Sequence, residues 1–294
     1  MACLDAAGTW LPRDSEPPGV MSGDSETQRI STAVNGQPVD IDALLTHLRD
    51  RATLEHAAGV LMARYELADA PTAFRALRTA ALRHHVGLDA LARALLVAPR
   101  PWRDGRWFPP RVWRSAPELD FLPASSTIRP TGMLWAALDR VTDRAQTAQG
   151  DIQSVTTNRT GLKLERAEGF SAEFFQHFAH VEGDATACGI ALRVREPITV
   201  TDVTKSGIFD RAALESLVVE NVRAVYSIPL AGPNGCEGVV SVHYRRSGQA
   251  PSKATCDELS RIASQTTAWL HWYRRTATLD ALEDLHHHRG RFPG

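Results

Sequence analysis

The side chains best suited to binding chemistry in this chain are basic. Arg51, Arg64, Arg75, Arg78, Arg83, His84 and His85 fall within a helical stretch of the first third. A guanidinium is planar, permanently charged and able both to grip phosphate bidentately and to stack on a base. Those are the two contacts by which single-stranded RNA loops are read. Acidic residues between Asp40 and Leu96 balance these arginines. Affinity for a polyanion would therefore have to come from local clustering rather than from net charge.

Other reactive groups form no recognisable catalytic set. The four cysteines are Cys3, Cys188, Cys236 and Cys256, with no CxxC spacing. Cys188, in the run TACG, reads as a small buried residue before it reads as a redox thiol, since a sensor thiol needs exposure and a depressed pKa. His177, His180, His243 and the run His286–His288 do not assemble into the three or four ligands that zinc requires. No Ser-His-Asp order, glycine-rich phosphate loop or paired carboxylate motif stands out. The expectation is a protein with no catalytic residues, no metal and no enzymatic activity, and with no cofactor that the sequence identifies.

The elements that would position these groups follow from composition and periodicity. With 294 residues and 43% hydrophobic content, the chain can build two modest domains with cores of their own. A net charge of −1 argues against bulk electrostatic attraction to nucleic acid. No apolar run has membrane-spanning length and the start lacks the pattern of a secretory signal, so the expected setting is a reducing cytoplasm without membrane attachment.

Residues 1–39 have a disordered-tail composition. Residues 40–97 carry apolar residues at helical spacing in three segments. Ile41, Leu44, Leu45 and Leu48 begin the first, and Ala58, Leu61 and Met62 continue it. Asp69 and Pro71 mark the start of the second, with Ala73, Phe74, Leu77 and Ala81 facing inward. Gly87 is the expected left-handed residue before a short third helix. Gly59 lies in a helix interior, where glycine costs about 1 kcal/mol against alanine, so close helix packing or close approach of a ligand has to justify it. Residues 98–130 form a Pro/Trp/Arg-rich linker whose Trp102, Trp107 and Trp113 could stack on bases or pack against a folded neighbour. From 131 to 276 the order is helix, two strands, helices, strand, helix, two strands, helix, an antiparallel sheet with helices on its faces. Residues 277–294 read as a polar, mobile tail. The fold class is therefore α plus α+β, a small three-helix bundle followed by an antiparallel sheet with flanking helices.

Two resemblances rest on these segments. Arg51, Glu55, Ala57, Gly59, Leu61, Met62, Ala73, Phe74, Leu77, Arg78, Ala80 and Leu88 resemble the ANTAR module, an RNA-binding output domain of bacterial antitermination regulators. TACGIALRVREPITVTDV, VRAVYSIPL and GVVSVHY resemble a GAF domain, a small-molecule sensor of bacterial signalling proteins. The first resemblance implies binding of structured hairpins in nascent transcripts, through the basic residues named above, by a homodimer. The second implies a ligand pocket between sheet and helices, with Phe174, Phe178, Cys188, Phe209, Tyr226 and His243 as its lining. A filled core would use the same residues. Together they imply a signal-responsive antitermination regulator. The alternative is a protein-interaction or redox/ligand sensor whose ANTAR module no longer binds RNA, a reading that Ala58 favours because that position is often Lys in the family. In the family a GAF domain more often precedes the ANTAR module; here it follows.

Overall fold

The computed structural model describes residues 33–34, 37–38, 41–99, 114–122, 128–156, 159–233 and 235–287, with side chains of the first helix at 48–49 and from 51 onward. The described residues divide into a sheet unit, which includes 128–156, 159–233 and 235–272, and a helical unit, which includes 41–99 and resumes at Tyr273. Most of the expected amino-terminal tail and linker lie outside the described residues. The exceptions are a short antiparallel pair, β1 (Ala33–Val34) with β2 (Gln37–Pro38), the irregular stretch 114–122 and the two ends of the linker, 98–99 and 128–130.

The helical unit contains α1 (Ile41–Tyr65), α2 (Ala70–Arg83) and α3 (Leu88–Val97). Asp69 caps α2, its carboxylate accepting from the Thr72 N–H at 2.7 Å, and Pro71 lies in the first turn, where its missing N–H costs nothing. Helix α2 buries Thr72, Ala73, Ala76, Leu77, Ala80 and Ala81, two adjacent rows of one face. Phe74 departs from the expected inward position and is 39% exposed, because the small alanines beside it already fill the contact with α1 and α3. The turn after α2 also differs from expectation. His85, not Gly87, adopts the left-handed conformation (φ 53°), while Val86 N–H donates to Ala81 O and His85 N–H donates to Leu82 O. That paired pattern closes the helix end, and leaves Gly87 as the residue preceding α3.

The sheet unit opens with α4 (Pro130–Ala145), followed by β3 (Gln149–Val155), β4 (Gly161–Glu168), α5 (Ala172–His177), β5 (His180–Glu182), α6 (Ala187–Val194), β6 (Ile198–Val200), α7 (Arg211–Val219), β7 (Ala224–Gly232) and β8 (Gly235–Tyr244). The six strands form one antiparallel sheet in the order β5-β4-β3-β8-β7-β6. The fold class expected from the sequence is the one observed. Strand β5 replaces the end of the helix expected over Ser171–His180: the phenylalanine-rich segment stops at His177, and the chain then pairs with β4.

The last helix, α8, runs from Lys253 to His287, well past the expected end near Thr276. Its residues to Trp272 belong to the sheet unit and those from Tyr273 belong to the helical unit. The expected polar tail is thus helical as far as His287, and Ala281, Leu282 and Leu285 are buried in the same core as Leu61, Leu77, Leu91 and Leu95. The spacing 281, 282, 285 puts all three on one helix face, a signal obscured in the sequence by the intervening Glu283, Asp284 and histidines. Burying leucines there contributes roughly 1.5–3 kcal/mol each. The three-helix bundle therefore has a fourth member.

Among the described residues no helix is long and apolar enough to cross a membrane.

Candidate functional site

The basic residues of the helical unit are not equivalent. Arg51, on the outside of α1, pairs with Glu55 one turn on, at 2.9 Å. Arg64 is half-buried and donates to the Ala98 carbonyl at 2.8 Å, tying the end of α1 to the end of α3. At about 100° per residue, Arg51 and Arg64 project from nearly opposite sides of α1. Arg83 donates to both oxygens of Asp284 on α8, at 2.8 and 2.7 Å, and His84 Nε2 lies 3.3 Å from the same carboxylate. His85 is exposed in the left-handed turn.

Arg75 and Arg78 differ from these. They lie one turn apart on the exposed face of α2, together with exposed Phe74 and Leu82. Arg75 donates to the Thr72 hydroxyl at 2.9 Å, and Arg78 has no ion pair among the described residues. This α2 strip joins two guanidinium groups to an available aromatic ring, which suits phosphate contact and base stacking together. The basic set expected from the sequence is therefore divided into an open pair on α2, Arg83 and His84 beside Asp284, Arg51 and Arg64 engaged elsewhere, and His85 exposed in the turn.

The sheet unit encloses a cavity under α5, α6 and α7. Strand alternation aims its floor. Asp151 and Gln153 on β3, Ser241 and His243 on β8, and Val225 and Ser227 on β7 all line it, and Asp151, Ser241 and Ser227 stand directly opposite one another across the three strands. The cover includes Phe174, Phe178, Thr186, Cys188, Phe209 and Leu217. Room for the centre of a water molecule amounts to about 20 Å³. Five residues expected at a pocket, Phe174, Phe178, Cys188, Phe209 and His243, are brought together here.

Tyr226 is not among them. It alternates with Val225 and Ser227 and so points to the opposite sheet face, where Cys256 and Ser260 of α8 meet it and burial pushes its hydroxyl pKa up. The sequence reading missed the polar floor. Gln149, Asp151 and Gln153 alternate with Gly150 and Ile152, a pattern that ordinarily places the polar residues in solvent. The available signal was Gly150, whose Cβ would stand 2.5 Å from the Thr142 side chain of α4: the apolar face of β3 is packed against a helix, and the polar face is covered as well.

Asp151 and His243 dominate the floor. Each side chain is 5% exposed, and His243 Nε2 lies 2.6 Å from Asp151 Oδ1. His243 also presents its edge to the stacked rings of Phe170 and Phe174. The Ser227 and Ser241 hydroxyls bond at 2.9 Å. His243 Nδ1 and Gln153 Oε1 are buried with no hydrogen-bond partner. Cys188 lies at the start of α6, where Thr186 caps the helix by accepting from Gly189 N–H. Burial, and then the nearby Asp151 charge, push the Cys188 thiol up to about 12, so it is an unreactive neutral thiol. Cys188, Cys236 and Cys256 are all free and buried. Among the described residues no group of three or more His, Cys, Asp or Glu side chains could hold a metal ion.

Residues 42–96 match the family model of the ANTAR domain. The chain thus carries an ANTAR domain, a regulatory rather than a catalytic module. Beyond it, the fold is similar to solved structures that include GAF domains. One is the GAF domain of an Acinetobacter phosphoenolpyruvate-protein phosphotransferase (16% identity, 50% of this chain and 85% of that one, TM-score 0.42). Another is the corresponding domain from Coxiella burnetii (12%, 52% and 88%, TM-score 0.45). A third is a type II free methionine-R-sulfoxide reductase from Thermoplasma acidophilum (16%, 48% and 92%, TM-score 0.40). A comparison with curated proteins returned no match.

Proposed function

We propose that this chain is a cytoplasmic, signal-responsive antitermination regulator whose ANTAR domain binds structured hairpins in nascent RNA and whose GAF-like module controls that binding. The observation that carries this reading is the placement of α8. A helix that starts in the sheet unit ends in the core of the ANTAR bundle, and there its Asp284 occupies Arg83 and His84. A signal that alters α8 reaches the output module through that segment, even though the sensor follows the output in sequence.

In this reading the open strip of Arg75, Arg78 and Phe74 makes the first contact with RNA. Release of Asp284 adds Arg83 and His84 to it. Arg51, Arg64 and His85 contribute less, since the first two are already engaged and the third stands in the turn. The protein works as a homodimer through the first helix, where Leu48 is half exposed. It performs no catalysis of its own.

A second reading is favoured by one observation: carboxylates already occupy Arg51 and Arg83. On that view the ANTAR module has ceased to bind RNA and serves as a protein-interaction module attached to a ligand sensor. The buried neutral Cys188 thiol weighs against the redox form of this alternative.

Native-gel retention of a tandem-hairpin RNA at moderate salt separates the readings. The RNA-binding reading expects retention by the full chain and its loss when Arg75→Ala and Arg78→Ala are combined. Absence of retention for the full chain, together with absence for an Asp284→Asn variant that frees Arg83, would establish the second reading.

A further inference from the structure

The sheet-unit cavity has a chemical character that restricts what can fill it. We propose that it binds a small organic cation with N–H donors, of the methylammonium class; this rests on the reading of the sheet unit as a sensor.

The argument begins with Asp151. A carboxylate this deeply buried needs donors or a counter-charge. Its hydrogen-bond partner is His243 Nε2, which donates to it. In a neutral imidazole the other nitrogen, Nδ1, is then a lone-pair acceptor. Nδ1 is one of the two unpartnered atoms, and the second, Gln153 Oε1, is also an acceptor. Both residues line the cavity beside Asp151. An unprotonated Nδ1 and Oε1 give the floor two open acceptors beside the buried Asp151 carboxylate, a set complementary to a guest that donates hydrogen bonds and is positively charged.

The cover fits the same guest. Phe174, Phe178 and Phe209 line the space, and an aromatic face attracts a cation. An anion would meet Asp151 and the ring faces unfavourably. A purely apolar guest would leave the buried acceptors unsatisfied. Size sets the upper limit: about 20 Å³ for a water-sized centre accepts a guest of one or two heavy atoms, not a nucleotide. A single water fits by volume but supplies no charge.

The test uses the full-length chain in sodium phosphate, free of amine buffers, with calorimetric titration of methylammonium chloride against sodium chloride and methanol, a neutral donor of the same size, at matched ionic strength. The expected result is saturable binding of methylammonium alone, accompanied by a shift of the His243 side-chain ¹⁵N resonances. Asp151→Asn, which keeps shape and hydrogen bonding, should weaken that binding at least about tenfold, as loss of a buried charge partner does. Methylammonium behaving like sodium chloride, or methanol binding as tightly, overturns the proposal, and both outcomes are read on the wild-type chain whether or not the variant folds. RNA retention with and without methylammonium is scored separately. Binding without any change in retention supports the ligand class while removing the sensor-to-output reading. Changed retention with methanol but not methylammonium keeps that reading and overturns the ligand class.

Discussion

Asp284 receives Arg83 through both carboxylate oxygens, at 2.8 and 2.7 Å, across 201 residues of sequence. The carboxylate is largely covered while the guanidinium is half exposed, so the pair is positioned to be exchanged for a phosphate. Asp284→Asn should tighten hairpin-RNA binding several-fold and steepen its salt dependence by about one unit for each freed cation that takes a phosphate. Titrations at several salt concentrations read both effects. Unchanged affinity and slope would show that Arg83 and His84 lie off the RNA surface.

Gly59 makes two opposite demands on one substitution. It is exposed within α1, and a Cβ built on it meets nothing within 4 Å. Helix packing therefore does not explain it. Gly59→Ala should raise stability by about 1 kcal/mol through helix propensity, measured by urea denaturation. If RNA approaches the backbone there, the same substitution should lower RNA retention. A variant that is more stable and binds RNA as well as the parent would leave the glycine without a binding role.

What the sequence reveals differs between the two units for physical reasons. Strong 3.6-residue periodicity exposed α1, α2 and α3, and Asp69 with Pro71 marked the start of α2. The antiparallel sheet and five of its strands, β3, β4, β6, β7 and β8, were also readable, since apolar segments and turns alternate clearly. Three features were not. Phe74 looked like a core residue because its type outweighs its position, yet alanines fill that core. The polar floor at Asp151 and Gln153 looked solvated because alternation does not report that a sheet face is covered by α5, α6 and α7. The end of α8 looked like a tail because three buried residues, Ala281, Leu282 and Leu285, are diluted by polar neighbours, and their partners are some 200 residues earlier in the chain.

Leu285 provides the direct test of that fourth helix. It is 1% exposed in the bundle core. Leu285→Ala should cost about 2–5 kcal/mol if the neighbours do not collapse into the space. Hydrogen exchange on the full chain localises the effect: amides of α1, α2 and α3 should lose protection while those of β3, β7 and β8 keep theirs. Unaltered exchange in the three helices would mean that α8 is dispensable to the helical bundle.

Cys188 gives a pH prediction with a definite sign. Its thiol pKa lies at 9.0 in an unperturbed setting and is raised to about 12 by burial and then by the Asp151 charge. Below pH 9 the thiol is protonated in both folded and unfolded chains, so the group adds no pH dependence. Above pH 9 the unfolded chain releases its proton and the folded chain does not, so stability falls as pH rises toward 12. Cys188→Ala should flatten that part of the alkaline stability profile, compared by urea midpoints at pH 8 and about pH 10.5. In the native wild-type chain at pH 8, Cys188 should resist iodoacetamide and dilute peroxide, with peptide mapping as the readout. Rapid modification of Cys188 without unfolding would instead mark it as an accessible thiolate, and would restore a redox role to the pocket.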